Sequence, residues 1–220
     1  MKLYMVSLGP GDYELITIKA LKALKNCDAI CVPTKSPDHS FTRSMTHKII
    51  QKLMEEFEFE KPLIPMYTPM HFKKEDWQYQ VDVITDSFTK YNNLSFVTLG
   101  DSAVYSTVYY LLDLFEAQNR VIYDNSEVIP GVTSFSNASA KVKKPLCIGD
   151  GSFSIVPLHK DNVVNTTVYM RPKIGMNTDV IFQKGDIYTF ENLNFRGETI
   201  SRNKKEIVDK YMTLFIDFVQ

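Results

Sequence analysis

The 220-residue chain carries 25 basic and 26 acidic side chains, a net charge of -1, so bulk charge gives it no polyanion-binding surface. With 44% hydrophobic and 23% charged residues, and nine glycines and ten prolines scattered rather than clustered, it can bury a core, which excludes extensive disorder and collagen-like or low-complexity classes. The longest apolar runs, 94–99 and 211–219, fall far short of the roughly 18 residues of a membrane span, and Cys27, Cys31 and Cys147 form no C-x-x-C, so a soluble cytoplasmic protein without a disulfide framework or structural zinc is expected.

In chain order, short apolar runs at 3–8, 29–32, 62–66 and 95–99 read as buried strands. Between and after them, 15–26, 41–59, 75–91 and 104–118 place apolar residues three and four apart, the spacing of helices with one buried face. This alternation predicts a mostly parallel sheet covered by helices, with ligands expected at the carboxyl ends of its strands. Beyond about residue 118 the pattern changes. Strands are expected at 126–129 and 154–156 around a helix at 133–143, then at 167–170, 186–191 and 211–219. The fold class is therefore α/β, with an N-terminal domain over 1–118 and a C-terminal domain with a mixed or antiparallel sheet over 119–220.

Three strand ends carry the candidate chemistry. The first is Gly9-Pro10-Gly11-Asp12, a rigid turn whose main chain can lie against a ligand; a tight strand-to-helix connection explains it equally well. It lacks the third glycine of the dinucleotide fingerprint, where Glu14 stands, and no G-x-x-x-x-G-K-[ST] occurs. The second is Leu99-Gly100-Asp101-Ser102 with Val104-Tyr105-Ser106-Thr107, where the acid and hydroxyls either cap a helix or hold a ligand. The third, Ile129-Pro130-Gly131-Val132-Thr133-Ser134-Phe135, leads into a helix whose N-terminus favours a carboxylate.

Together, in this order and at these intervals, the three loops resemble the tetrapyrrole methylase family, which transfers methyl groups from S-adenosylmethionine during corrinoid and sirohaem synthesis. Pro65-Met66-Tyr67-Thr68, Tyr105-Ser106-Thr107 and Ala29-Ile30-Cys31-Val32-Pro33 with Lys35 resemble its precorrin-2 or cobalt-factor II C20-methyltransferases. The resemblance implies two α/β domains, a homodimer, S-adenosylmethionine in a cleft between the domains, and a reduced tetrapyrrole in a trough of the first. By motif, Pro10, Gly100, Asp101, Val104, Tyr105, Ser106, Thr107, Thr133 and Ser134 would surround the cofactor, and Tyr169-Met170 would approach its adenine. Tyr105 and Asp101 are candidates for a proton acceptor, although holding the cofactor explains them at least as well.

Two departures stand out: Ser102 replaces the proline usual after Gly-Asp, and 172–186 is short for the helix normally placed there. The acceptor's eight carboxylates call for local cations, and Lys35, His39, Arg43, His71 and Lys73 follow the second and third strands, where solvated surface is the alternative. No metal site, nucleic-acid module or membrane partner is expected. Alternatives are another family member acting at a different ring position, a diphthine synthase-like enzyme, or a module that binds without turnover.

Overall fold

The computed structural model describes residues 1–69, 73–155, 166–170, 172–181, 183–192 and 195–219. They form two compact units, Met1–Gly151 and Ser152–Gln220.

In the first unit β1 (Lys2–Ser7), β2 (Ala29–Thr34), β3 (Leu63–Tyr67), β4 (Asn93–Thr98) and β5 (Ser126–Ile129) form a parallel sheet in the order β3-β2-β4-β1-β5. Side chains alternate across it, as the period-2 pleat requires. Leu3 and Met5 of β1 join Cys31 and Phe96 in one apolar layer, while Val6 and Leu8 join Ile30, Val32 and Val97 in the other. Helices α1 (Ile18–Asn26) and α2 (Met45–Glu56) close the second layer with Ala20, Leu24, Ile50 and Leu53. Helices α3 (Lys74–Ser87), α4 (Val108–Gln118) and α5 (Arg120–Asp124) close the first with Ile84, Leu111, Phe115 and Ile122. Each leucine, isoleucine or phenylalanine among them, once fully buried, contributes roughly 1.5–3 kcal/mol against exposure. Helix α6 (Ser134–Val142) follows β5 and has no buried residue.

The chain first steps outward, β1 to β2 to β3, and then inserts β4 between β2 and β1. Strands β1 and β4 therefore pair along their length, from Lys2 opposite Asn93 to Ser7 opposite Thr98, while the helices that follow them lie in opposite layers. Such a reversal opens a crevice at the carboxyl ends of the two strands.

Several expected boundaries move for local reasons. Helix α2 starts at Met45 because the Ser44 hydroxyl accepts the His47 N–H at 3.0 Å and so caps it. Residues 104–107 are not helical, and α4 begins at Val108. Strand β5, expected in the second domain, pairs with β1, and the first compact unit extends to Gly151 rather than to 118. Ser154 and Ile155 carry no strand, and Val156 lies outside the described residues.

In the second unit β6 (Thr167–Tyr169), β7 (Asp186–Glu191), β8 (Thr199–Ser201) and β9 (Thr213–Phe218) form an antiparallel sheet in the order β6-β9-β7-β8. Its core is small: Ile181, Ile187, Val208 and Phe215, with Tyr169 packed against them. Between Pro172 and Asp186 the described residues hold one 3-10 turn, Thr178–Val180, and no α-helix. No helix among the described residues is long and apolar enough to cross a membrane.

Candidate functional site

The three bends meet at the β1/β4 crevice. The Leu8 N–H donates to the Thr98 carbonyl at 2.9 Å, which carries the pairing of β1 and β4 into their loops. Beyond it Gly9 and Gly100 exchange two hydrogen bonds, Gly9 N to Gly100 O at 3.1 Å and Gly100 N to Gly9 O at 2.7 Å. Both have positive φ, 75° and 79°, a conformation that costs glycine little and most residues much. Gly131 of the third bend packs on this bridge. A Cβ there would lie 2.7 Å from the Ser7 Cβ and 3.0 Å from the Gly100 carbonyl oxygen, so only glycine fits.

Side chains complete the bracing. The Asp101 Oδ1 accepts the N–H groups of Ala103 at 3.1 Å and Gly131 at 3.4 Å, tying the second bend to the third. The Ser7 hydroxyl accepts the Ser102 N–H at 2.9 Å in a buried contact. Where a proline would have fixed the backbone through its ring, Ser102 is fixed through its main-chain donor; its own hydroxyl is buried without a partner. Thr133 caps α6, its Oγ1 accepting the Ser136 N–H at 3.3 Å.

The result is a cavity of about 280 Å³. The first bend lines it with Pro10, the second with Leu99, Gly100, Asp101, Val104 and Tyr105, and the third with Thr133, Ser134 and Phe135. Seven of these are residues that the motifs single out; Leu99 and Phe135 add apolar wall. The acid of the lining is Asp101. The phenol of half-exposed Tyr109 on α4 is held above its ordinary pKa by partial desolvation and then by the negative charge of Asp101. Tyr105 is exposed and sits at φ 50°, in the left-handed region that a bulky side chain disfavours.

Other motif residues lie elsewhere. Ser106 and Thr107 do not line the cavity. The Ser106 Oγ lies 3.4 Å from the Thr98 Oγ1 and accepts the Val108 N–H at 3.3 Å, and Thr107 stands at the start of α4. Lys35, His39 and Arg43 are exposed after β2, and Lys73 is exposed at the start of α3. The His39 ring centroid is 6.2 Å from those of both Tyr67 and Tyr79. His71 lies outside the described residues. Tyr169 and Met170 belong to the second unit, where Tyr169 packs on the core cluster and Met170 is exposed. Among the described residues no three of His, Cys, Asp and Glu gather as a metal site would need.

A parallel α/β sheet whose neighbouring strands send their helices to opposite faces, with a cavity at their carboxyl ends, is a doubly wound fold of the kind that places ligands there. The chain belongs to the tetrapyrrole (corrin/porphyrin) methylases, whose family model matches residues 2–185. It is 30% identical over 158 residues to the cobalt-precorrin-2 C(20)-methyltransferase of Salmonella typhimurium, across 70% of this chain and 62% of that one. A relative in Methanocaldococcus jannaschii, named for the same C(20) methylation, is 29% identical over 160 residues, across 73% of this chain and 65% of its own. The chain thus spans somewhat less than two thirds of the length of these relatives. Among solved structures it resembles the cobalamin synthesis related protein of Corynebacterium diphtheriae, with a TM-score of 0.53, 13% identity, and coverage of 98% of this chain and 97% of that one.

Proposed function

We propose that the chain is an S-adenosylmethionine-dependent C-methyltransferase acting at C20 of precorrin-2 or cobalt-factor II, in cobalamin biosynthesis. The observation that carries this reading is the convergence of the bends at Pro10, Gly100 and Gly131 on one cavity, in a chain about 30% identical to proteins named for that methylation.

The lining suits the methionine part of the cofactor. Asp101 keeps its Oδ1 on two backbone N–H groups, which leaves its second oxygen for an ammonium. The start of α6, with the Ser134 hydroxyl beside it, favours a carboxylate. Leu99, Val104 and Phe135 supply apolar contact. When bound, S-adenosylmethionine supplies an electrophilic methyl group on a sulfonium. The protein's part is alignment: in-line displacement at a methyl needs donor and acceptor held within a narrow range of distance and angle, and no covalent nucleophile. Rigid bends with two glycine hydrogen bonds and a carboxylate brace serve that purpose. The acceptor carbon must also release a proton, for which Asp101 and Tyr105 are the candidates by position.

Lys35, His39, Arg43 and Lys73, all exposed after β2 and β3, are proposed to meet the substrate's carboxylates. Tyr169 and Met170 are proposed to approach the adenine. Assembly as a homodimer and a cytoplasmic location complete the reading.

Incubating the protein with S-adenosylmethionine and either tetrapyrrole, with and without cobalt, tests it. The expected product is heavier by one methyl group, placed at C20 by NMR. A methyl elsewhere on the ring would identify a different activity within the family, and binding without product would identify a non-catalytic module.

A further inference from the structure

Ser7 ends β1 with no solvent exposure, at the point where the three bends touch. Its Oγ takes the Ser102 N–H at 2.9 Å, a bond between residues 95 positions apart. Its Cβ sits 2.7 Å from where a Gly131 side chain would begin, so the third bend rests on it. The Ser102 hydroxyl has no partner, so the contact uses the backbone of residue 102 and not its side chain. Alanine at position 7 would offer no acceptor to the Ser102 N–H.

We propose that Ser7 is a positioning residue for the cofactor cavity: its buried hydroxyl captures the Ser102 amide and so fixes the wall formed by Gly100, Asp101 and Val104 against the Gly131 bend. This rests on the reading of that cavity as the S-adenosylmethionine site. Without the hydroxyl the Ser102 N–H is a buried donor with nothing to bond, and the loop must shift to satisfy it. The Asp101 carboxylate, one residue earlier, shifts with it.

The test uses Ser7→Ala, Ser102→Pro and the double variant. Two readouts are taken: amide hydrogen exchange at Ser102 in the free protein, and calorimetric titration with S-adenosylhomocysteine, which cannot react. Ser7→Ala should speed exchange at Ser102 and weaken binding roughly three- to tenfold, the range of one hydrogen bond. Ser102→Pro removes the donor, strands the Ser7 hydroxyl and should also weaken binding. In the double variant neither partner is left orphaned, so its affinity should lie above the product of the two single losses. Wild-type exchange and affinity in Ser7→Ala would overturn the proposal. So would losses that simply multiply, or a lowered melting temperature with affinity unchanged. If the wild-type protein fails to bind S-adenosylhomocysteine, the cofactor reading fails. Exchange at Ser102, measured without ligand, still decides the hydrogen bond: acceleration upholds it and no change overturns it.

Discussion

Tyr105 holds φ at 50°, where the Cβ of an L-residue crowds the following carbonyl at a cost of roughly 1–2 kcal/mol. Such a cost persists only where the surroundings impose it, and here the surroundings are the cavity wall. Glycine escapes the crowding, so Tyr105→Gly should be more stable than Tyr105→Ala by about 1 kcal/mol, the reverse of their order in a helix. Comparing the two by thermal or urea unfolding checks this; alanine at or above glycine would show that the strain is absent. The motif around Tyr105 is visible in the sequence, because glycine, aspartate and hydroxyl residues at the end of an apolar run mark a strand-to-helix turn. The conformation of Tyr105 is not, since nothing in Val104-Tyr105-Ser106 announces a left-handed residue. Ser7 is still less visible. A serine closing an apolar strand carries no local signal, and its partner stands 95 residues away.

At the scale of elements, the bends act as one body because each blocks the others' movement. Gly131 is the tightest contact, and a methyl there would have to push back the Ser7 Cβ, the Gly100 carbonyl or both. Gly131→Ala is therefore expected to destabilise the first unit by about 1–3 kcal/mol, the usual cost of overpacking, and to weaken binding of the cofactor. Urea unfolding alongside calorimetry reads both effects, and a variant with wild-type stability would mean that the third bend can yield. The beginnings and ends of elements are partly legible: Thr17, Ser44 and Thr133 are capping residues by type, and each accepts a capping hydrogen bond. Strand β5 reads correctly as a strand but not as a member of the first sheet. Its neighbour β1 lies more than a hundred residues back, and hydrophobic pattern says nothing of pairing partner.

The second unit has a core of few apolar residues and buries charge instead. The Glu191 carboxylate, nearly inaccessible, accepts hydrogen bonds from Lys205 at 2.7 Å, Lys210 at 2.9 Å and the Thr199 hydroxyl at 2.8 Å. Burial alone would raise its pKa, but the two ammonium groups and the hydroxyl outweigh that and hold it at about 2, below its ordinary 4.5. A folded-state pKa below the unfolded one means stability that is present above pH 4.5 and is lost as the pH falls from there toward about 2. The loss amounts to at most about 3 kcal/mol. Unfolding followed at Tyr188 or Tyr211 between pH 6 and pH 3 should show it, and Glu191→Gln should flatten that dependence. An equally steep fall in the variant would assign the effect to other acids.

Over the whole molecule, the sequence by itself determined the alternation of strands and helices in the first unit and the three glycine-bearing bends. It also determined the change to closely spaced strands near the C-terminus. Periodicity, capping chemistry and the backbone preferences of glycine and proline are local properties, readable within a few residues. Only the tertiary structure decided the order β3-β2-β4-β1-β5, the pairing of β1 with β4 that brings residues 10 and 100 together, and the seating of Gly131 on Ser7. Those depend on which distant surfaces exclude water together, and that selection is made by packing across the folded chain rather than by any stretch of it.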